Sequence, residues 1–164
     1  MKKFNITGRQ KEGACRHRRN LLYFKMSGIP KLRGHHLICL HFFNGRGYSR
    51  EFVENLKNTL KKAEGSGAEV SNGADDVCRK CPYLKGGKCL SDEHSNDEIM
   101  EMDKFALNLL GETSGAEIKW HIIKEKIPEI FTLWLERYCK KCLWENACKE
   151  DSLYRELKHG KDTA

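Results

Sequence analysis

Apolar residues along the chain fall into separated groups, and the spacing within most groups predicts helix rather than strand. Leu37–Phe43 forms a compact apolar stretch, read as a short helix that ends at Asn44-Gly45-Arg46-Gly47. Ser49 suits the N-cap of a helix reaching about Glu64, with Phe52, Val53, Leu56 and Leu60 on one face and Gly65-Ser66-Gly67 as its stop. Ala68–Ser71 fits a short strand, and residues 72–94, rich in turn formers and cysteine, read as an irregular loop. Ser95-Asn96-Asp97-Glu98 fits a capping box ahead of a helix over Ile99–Leu110, closed by Gly111. Ile118–Lys126 reads as one helix, Pro128 as the start of another to about Tyr138, and Asp151–Lys158 as the last. Alternating β-patterns are weak. The expected fold class is mainly α: a small single domain of short helices with two cysteine-rich metal-binding loops and little or no sheet.

Composition narrows the function classes. The 164 residues are enough for one hydrophobic core without disulfide staples. No apolar run approaches the roughly 18 residues of a membrane span, so no membrane partner is expected. The net charge of +7 suggests nucleic acid until its distribution is read. Residues 1–25 hold eight basic side chains and one acid, leaving 22 of each sign in the remainder. Nucleic acid is therefore not an expected partner of the folded body. Residues 1–28 are expected to be a basic, disordered extension, with Met26 as an alternative start, and 29–164 to be the metal-binding domain. Leu21–Phe24 is too short for the apolar part of a secretory signal, which makes a cytoplasmic location the expectation.

Cysteine carries the chemistry. Setting aside Cys15 in the extension, seven remain: Cys39, then Cys78, Cys81 and Cys89, then Cys139, Cys142 and Cys148. The two clusters read Cys-x-x-Cys-x7-Cys and Cys-x-x-Cys-x5-Cys. A Cys-x-x-Cys turn brings two sulfurs to one soft metal centre, and a third sulfur closes the loop around it. Disulfides are the weaker reading, since seven is odd and a reducing compartment is expected. Thioredoxin-type exchange is weaker again, because neither pair opens a helix after a recognisable strand. Two four-ligand sites need two ligands beyond the six clustered cysteines. Cys39 can be one, and His35 or His36, four and three residues before it on a helix, can supply the other. Alternatively one site takes four cysteines and the remaining three are structural or form an incomplete site. Trp120, Trp134 and Trp144 are read as packing residues rather than a base-stacking platform.

Leu32-Arg33-Gly34-His35-His36-Leu37-Ile38-Cys39-Leu40 and Gly45-Arg46-Gly47-Tyr48-Ser49 resemble the opening of a small bacterial and archaeal family, domain of unknown function twelve eighty-four. Asp75-Asp76-Val77-Cys78, Cys81-Pro82, Met102-Asp103 and the Cys139-x-x-Cys142-x-Trp144-x-x-x-Cys148 motif extend the similarity over roughly residues 30–150. The resemblance implies iron–sulfur binding and brings no substrate. The expected function is thus an iron–sulfur (4Fe–4S) protein for electron transfer or redox sensing, with a redox partner protein. In that reading Cys78, Cys81, Cys89 and Cys39 hold one cluster, and Cys139, Cys142 and Cys148 serve a second site or complete the first. The alternative is a zinc-binding structural or interaction module. A third reading is a metal-dependent enzyme using His35, His36, Asp75 or Asp76, against which those side chains merely support the metal ligands.

Overall fold

The computed structural model describes residues 28–90 and 96–160. The basic extension with Cys15 and His17, and also His94 and Ser95, lie outside the described residues. Strand β1 (Lys31–Arg33) runs straight into helix α1 (Gly34–Cys39), which tightens into a 3-10 turn at Leu40–Phe42. Leu32, Leu37, Ile38, Leu40 and Phe42 are all buried along this stretch. Helix α2 (Arg50–Ser66) starts where Ser49 Oγ accepts from the Phe52 N–H at 3.1 Å, as the sequence predicts. It buries Phe52, Leu56, Thr59 and Ala63 at helical spacing. Gly67 ends it with φ +86, and a Cβ there would lie 2.5 Å from the Ile118 carbonyl oxygen. Both the positive φ and the close approach demand glycine.

A small mixed sheet supports the helices. β1 pairs in parallel with β2 (Ala68–Ser71), placing Leu32 opposite Val70. β2 pairs antiparallel with β5 (Glu117–Ile118), placing Ala68 opposite Ile118. The stretch read as an irregular loop contains a hairpin, β3 (Leu84–Lys85) with β4 (Lys88–Cys89). Gly86 and Gly87 both have positive φ, the signature of the tight turn that sets Cys89 opposite Leu84.

Helix α3 (Asn96–Leu110) ends at Gly111, which has φ +67. Helix α4 departs from the sequence reading. It is one continuous helix, Trp120–Arg137, with Pro128 inside it, and Ile118 belongs to β5 instead. The proline deprives the Lys124 carbonyl of its helical partner, a disruption of about 3 kcal/mol in a helix interior. Both residues are exposed, so water takes the carbonyl. On the opposite face Trp120, Ile123, Ile127, Ile130, Phe131 and Trp134 are buried without a break. At roughly 1.5–3 kcal/mol per large buried side chain, that stripe outweighs the interruption.

After a 3-10 turn at Cys139–Lys141 come the one-turn helix α5 (Glu145–Cys148) and helix α6 (Ser152–His159). Asp151 caps α6 by accepting from the Tyr154 N–H at 3.0 Å. The molecule is mainly α, as expected. No described helix is long and apolar enough to cross a membrane.

Candidate metal centre

The two Cys-x-x-Cys motifs fold alike. Each makes a single 3-10 turn closed by the fourth residue's N–H: Cys81 to the Cys78 carbonyl (2.9 Å) and Cys142 to the Cys139 carbonyl (3.1 Å). The hairpin turn delivers Cys89 to the first loop, and α5 delivers Cys148 to the second. Tyr48 bridges the loops. Its ring packs on Tyr83 of the first loop (5.0 Å) and Trp144 of the second (4.9 Å), and its hydroxyl accepts from Trp144 Nε1 at 3.2 Å. All seven of these cysteines, with His35 and His36, line one cavity of about 250 Å³. None of the seven is in a disulfide.

Two buried carboxylates organise the histidine side of the cavity. Asp75, whose side chain is wholly buried, accepts from the Arg33 N–H (2.8 Å), the Cys78 N–H (3.0 Å) and His36 Nδ1 (2.6 Å). Asp103 on α3 accepts from the His35 N–H (3.0 Å), His35 Nδ1 (2.7 Å) and Arg33 Nε (2.7 Å), with Arg33 Nη2 at 2.6 Å. A carboxylate on Nδ1 orients each imidazole, and Nε2 carries the lone pair whenever the ring is neutral. The two imidazole centroids are 4.2 Å apart. Arg33, 2% exposed, also places Nη1 4.0 Å from Cys78 Sγ, a fixed cation beside a thiol. This arrangement depends on Gly34: a Cβ there would lie 2.3 Å from the Asp103 carbonyl oxygen, so only glycine lets α1 approach α3 so closely.

Burial dominates the electrostatics of the cavity. Burial raises the Cys78 thiol to about 12, with Asp75 adding to the rise. Cys139 is likewise raised to about 12 and Cys148 to about 11, by burial and then by neighbouring thiols. Burial also raises Cys81, and it raises Cys39, whose thiol further feels Cys139, Cys142 and Cys148. A metal in the cavity reverses this preference, because its charge stabilises the thiolates. Burial raises Asp75 and Asp103, but His36 on the first and His35 and Arg33 on the second outweigh it, holding both below the usual carboxylate range. Burial and the neighbouring His36 lower His35 to about 4, so it is neutral at pH 7.

His36, Asp75 and Cys78 stand as a possible metal-binding triad, each offering a donor atom within 4.8 Å of the others. Cys39 lines the same cavity as the Cys78, Cys81 and Cys89 thiols with which the sequence groups it, and its thiol also feels Cys139, Cys142 and Cys148. Asp76 stands apart: its side chain accepts from the Lys31 N–H (2.9 Å) and pairs with Arg79 (2.6 Å). Sequence reasoning quotes Arg33 and Asp103 within the family motifs but gives them no role, and it does not mention Tyr154. Asp103 had one available signal, a carboxylate on the apolar stripe Ile99, Ala106 and Leu110 of α3, which demands a buried partner. Tyr154 is 0% exposed, lines the cavity, and has no hydrogen-bond partner for its hydroxyl.

No curated protein and no solved structure matches the chain. A family model does match, over residues 47–148, a span holding six of the seven cavity cysteines and following His35, His36 and Cys39. On that match the chain belongs to the family described as Protein of unknown function (DUF1284).

Proposed function

We propose that the cavity binds an iron–sulfur cluster and that the protein works in electron transfer or redox sensing. One observation carries the reading: seven thiols, none in a disulfide, surround a single cavity. The donor set fits the group, since iron–sulfur clusters are held by cysteine thiolates. Cys39, Cys139, Cys142 and Cys148 form one set of four. Cys78, Cys81 and Cys89 form a set of three, with His36 beside Cys78 as the fourth donor. A bound cluster supplies a reversible one-electron change. The chain's own groups hold and tune it: Arg33 offsets negative charge beside Cys78, while Asp75 orients the Cys78 turn and His36.

The compact triad His36, Asp75 and Cys78, whose donor atoms lie within 4.8 Å of one another, favours a second reading, a single zinc ion at His36 and Cys78. Asp75 already accepts three hydrogen bonds, so in both readings it orients the ligands.

Anaerobic purification tests the proposal. A brown protein with stoichiometric iron and acid-labile sulfide is expected, with iron reduced in Cys148→Ser and in Cys89→Ser. A colourless protein with stoichiometric zinc refutes it.

A further inference from the structure

Tyr154 is one of the buried polar side chains that the described contacts leave unexplained, and His41 is another. Its ring is locked between two aromatic neighbours, Phe42 at 90° and Phe131 at 89°, with centroids 5.5 and 5.2 Å away. Its backbone is locked as well, because its own N–H makes the Asp151 capping bond. The hydroxyl can therefore neither swing to solvent nor find a new partner by rotamer change. A buried O–H without an acceptor bears the full cost of desolvation, so a fold that fixes one in place implies an acceptor that occupies the space beside it.

The neighbourhood identifies that acceptor. The titratable groups felt by the hydroxyl are Cys139, Glu145, Cys148 and Cys142. Glu145 is engaged elsewhere, with Lys149 at 3.1 Å and Lys158 at 3.9 Å. Three of the four thiols assigned to one site remain, on the cavity wall that Tyr154 itself lines. Resting on the cluster reading above, we propose that Tyr154 donates its hydroxyl hydrogen to a sulfur of the cluster held by Cys39, Cys139, Cys142 and Cys148, and so raises that cluster's reduction potential. The direction follows from charge: reduction adds an electron to the cluster, and a hydrogen bond to sulfur strengthens as the sulfur becomes more negative. Tyr154 is a positioning and tuning residue. It bonds to the group and does not take part in the electron's chemistry.

Tyr154→Phe tests this, since it removes one oxygen and keeps the ring between Phe42 and Phe131. The full chain is purified anaerobically, and the cluster concerned is the one lost in Cys148→Ser. Tyr154→Phe is expected to keep wild-type iron and sulfide while its potential falls by about tenfold in the reduction equilibrium, or about 59 mV for one electron. The metal-free variant is expected to melt at the wild-type temperature or above it, because its missing hydroxyl had no partner in that state. A wild-type potential in a fully loaded Tyr154→Phe protein overturns the proposal and leaves the cluster reading intact. Iron lost from Tyr154→Phe alone assigns the hydroxyl to retaining the cluster and overturns the tuning role. A wild-type protein without iron and sulfide overturns the cluster reading, and this inference with it.

Discussion

Asp103→Ala removes the carboxylate on which Arg33 and His35 both depend. The Arg33 side chain is 2% exposed and meets Asp103 through Nε at 2.7 Å and Nη2 at 2.6 Å. Water cannot reach the guanidinium once the partner is gone, so the lost energy is that of an uncompensated buried charge. Breaking such a pair costs about 3–5 kcal/mol, against about 0–1 kcal/mol for an exposed pair. The His35 N–H at the start of α1 loses its acceptor too, which places the expected loss toward the upper end of that range. Urea and thermal unfolding of the reduced, metal-free protein are the assays, and the thermal midpoint should fall by roughly 10–20 °C. Arg33→Met combined with Asp103→Leu should recover part of the loss, since it removes the stranded charge but leaves the His35 N–H unpaired. A loss below about 1 kcal/mol for Asp103→Ala would show that Arg33 finds water, and the account of this buried pair fails.

Two further predictions concern folding stability. His35 is lowered to about 4 by burial and then the His36 charge, and His41 to about 4 by burial and then Lys124, so the unfolded chain binds more protons than the folded one between about pH 6.5 and 4. Their stabilising contribution is complete above pH 6.5 and falls as pH drops through that window, by at most about 1.4 kcal/mol per pH unit for each histidine; equal urea midpoints at pH 7.5 and pH 5 refute this. Pro128→Ala should stabilise the protein by up to about 3 kcal/mol, because alanine restores a donor to the Lys124 carbonyl on an exposed helix face; a lower midpoint would show that the proline conformation is needed.

Local signals mark their elements reliably. Ser49 caps α2, Gly67 ends it, and Asp151 caps α6, because each feature acts within one turn of its own chain. Pro128 misled for the complementary reason. Its local cost is fixed, but the Ile123, Ile127, Ile130, Phe131 and Trp134 stripe that overrides it acts only through tertiary packing. The two-residue strand β5 is shorter than any hydrophobic alternation can reveal. At the site, cysteine spacing marked the six clustered thiols, and the repeated Cys-x-x-Cys turn is local enough to foresee. The neighbours of Cys39 were not legible, since they depend on how α1 packs in the finished fold. Arg33 and Asp103 lie 70 residues apart, and their pairing follows from the contact that Gly34 permits.

The distance along the chain between Cys39 and its neighbouring thiols has a consequence for assembly. Cys139 lies 100 residues downstream, and Cys148 is later still. During synthesis the first thiol of the proposed four-thiol set waits, unpaired, until nearly the whole domain has left the ribosome. Loading of that site therefore follows folding of the α1, α2 and α4 core, while Cys78, Cys81 and Cys89 can meet within a single short segment. A metal bound by Cys39 and the Cys139 loop would also close a loop of 100 residues, and closing long loops removes the most freedom from the unfolded chain. Chelation should then loosen the C-terminal segment of α5 and α6 before it disturbs the sheet.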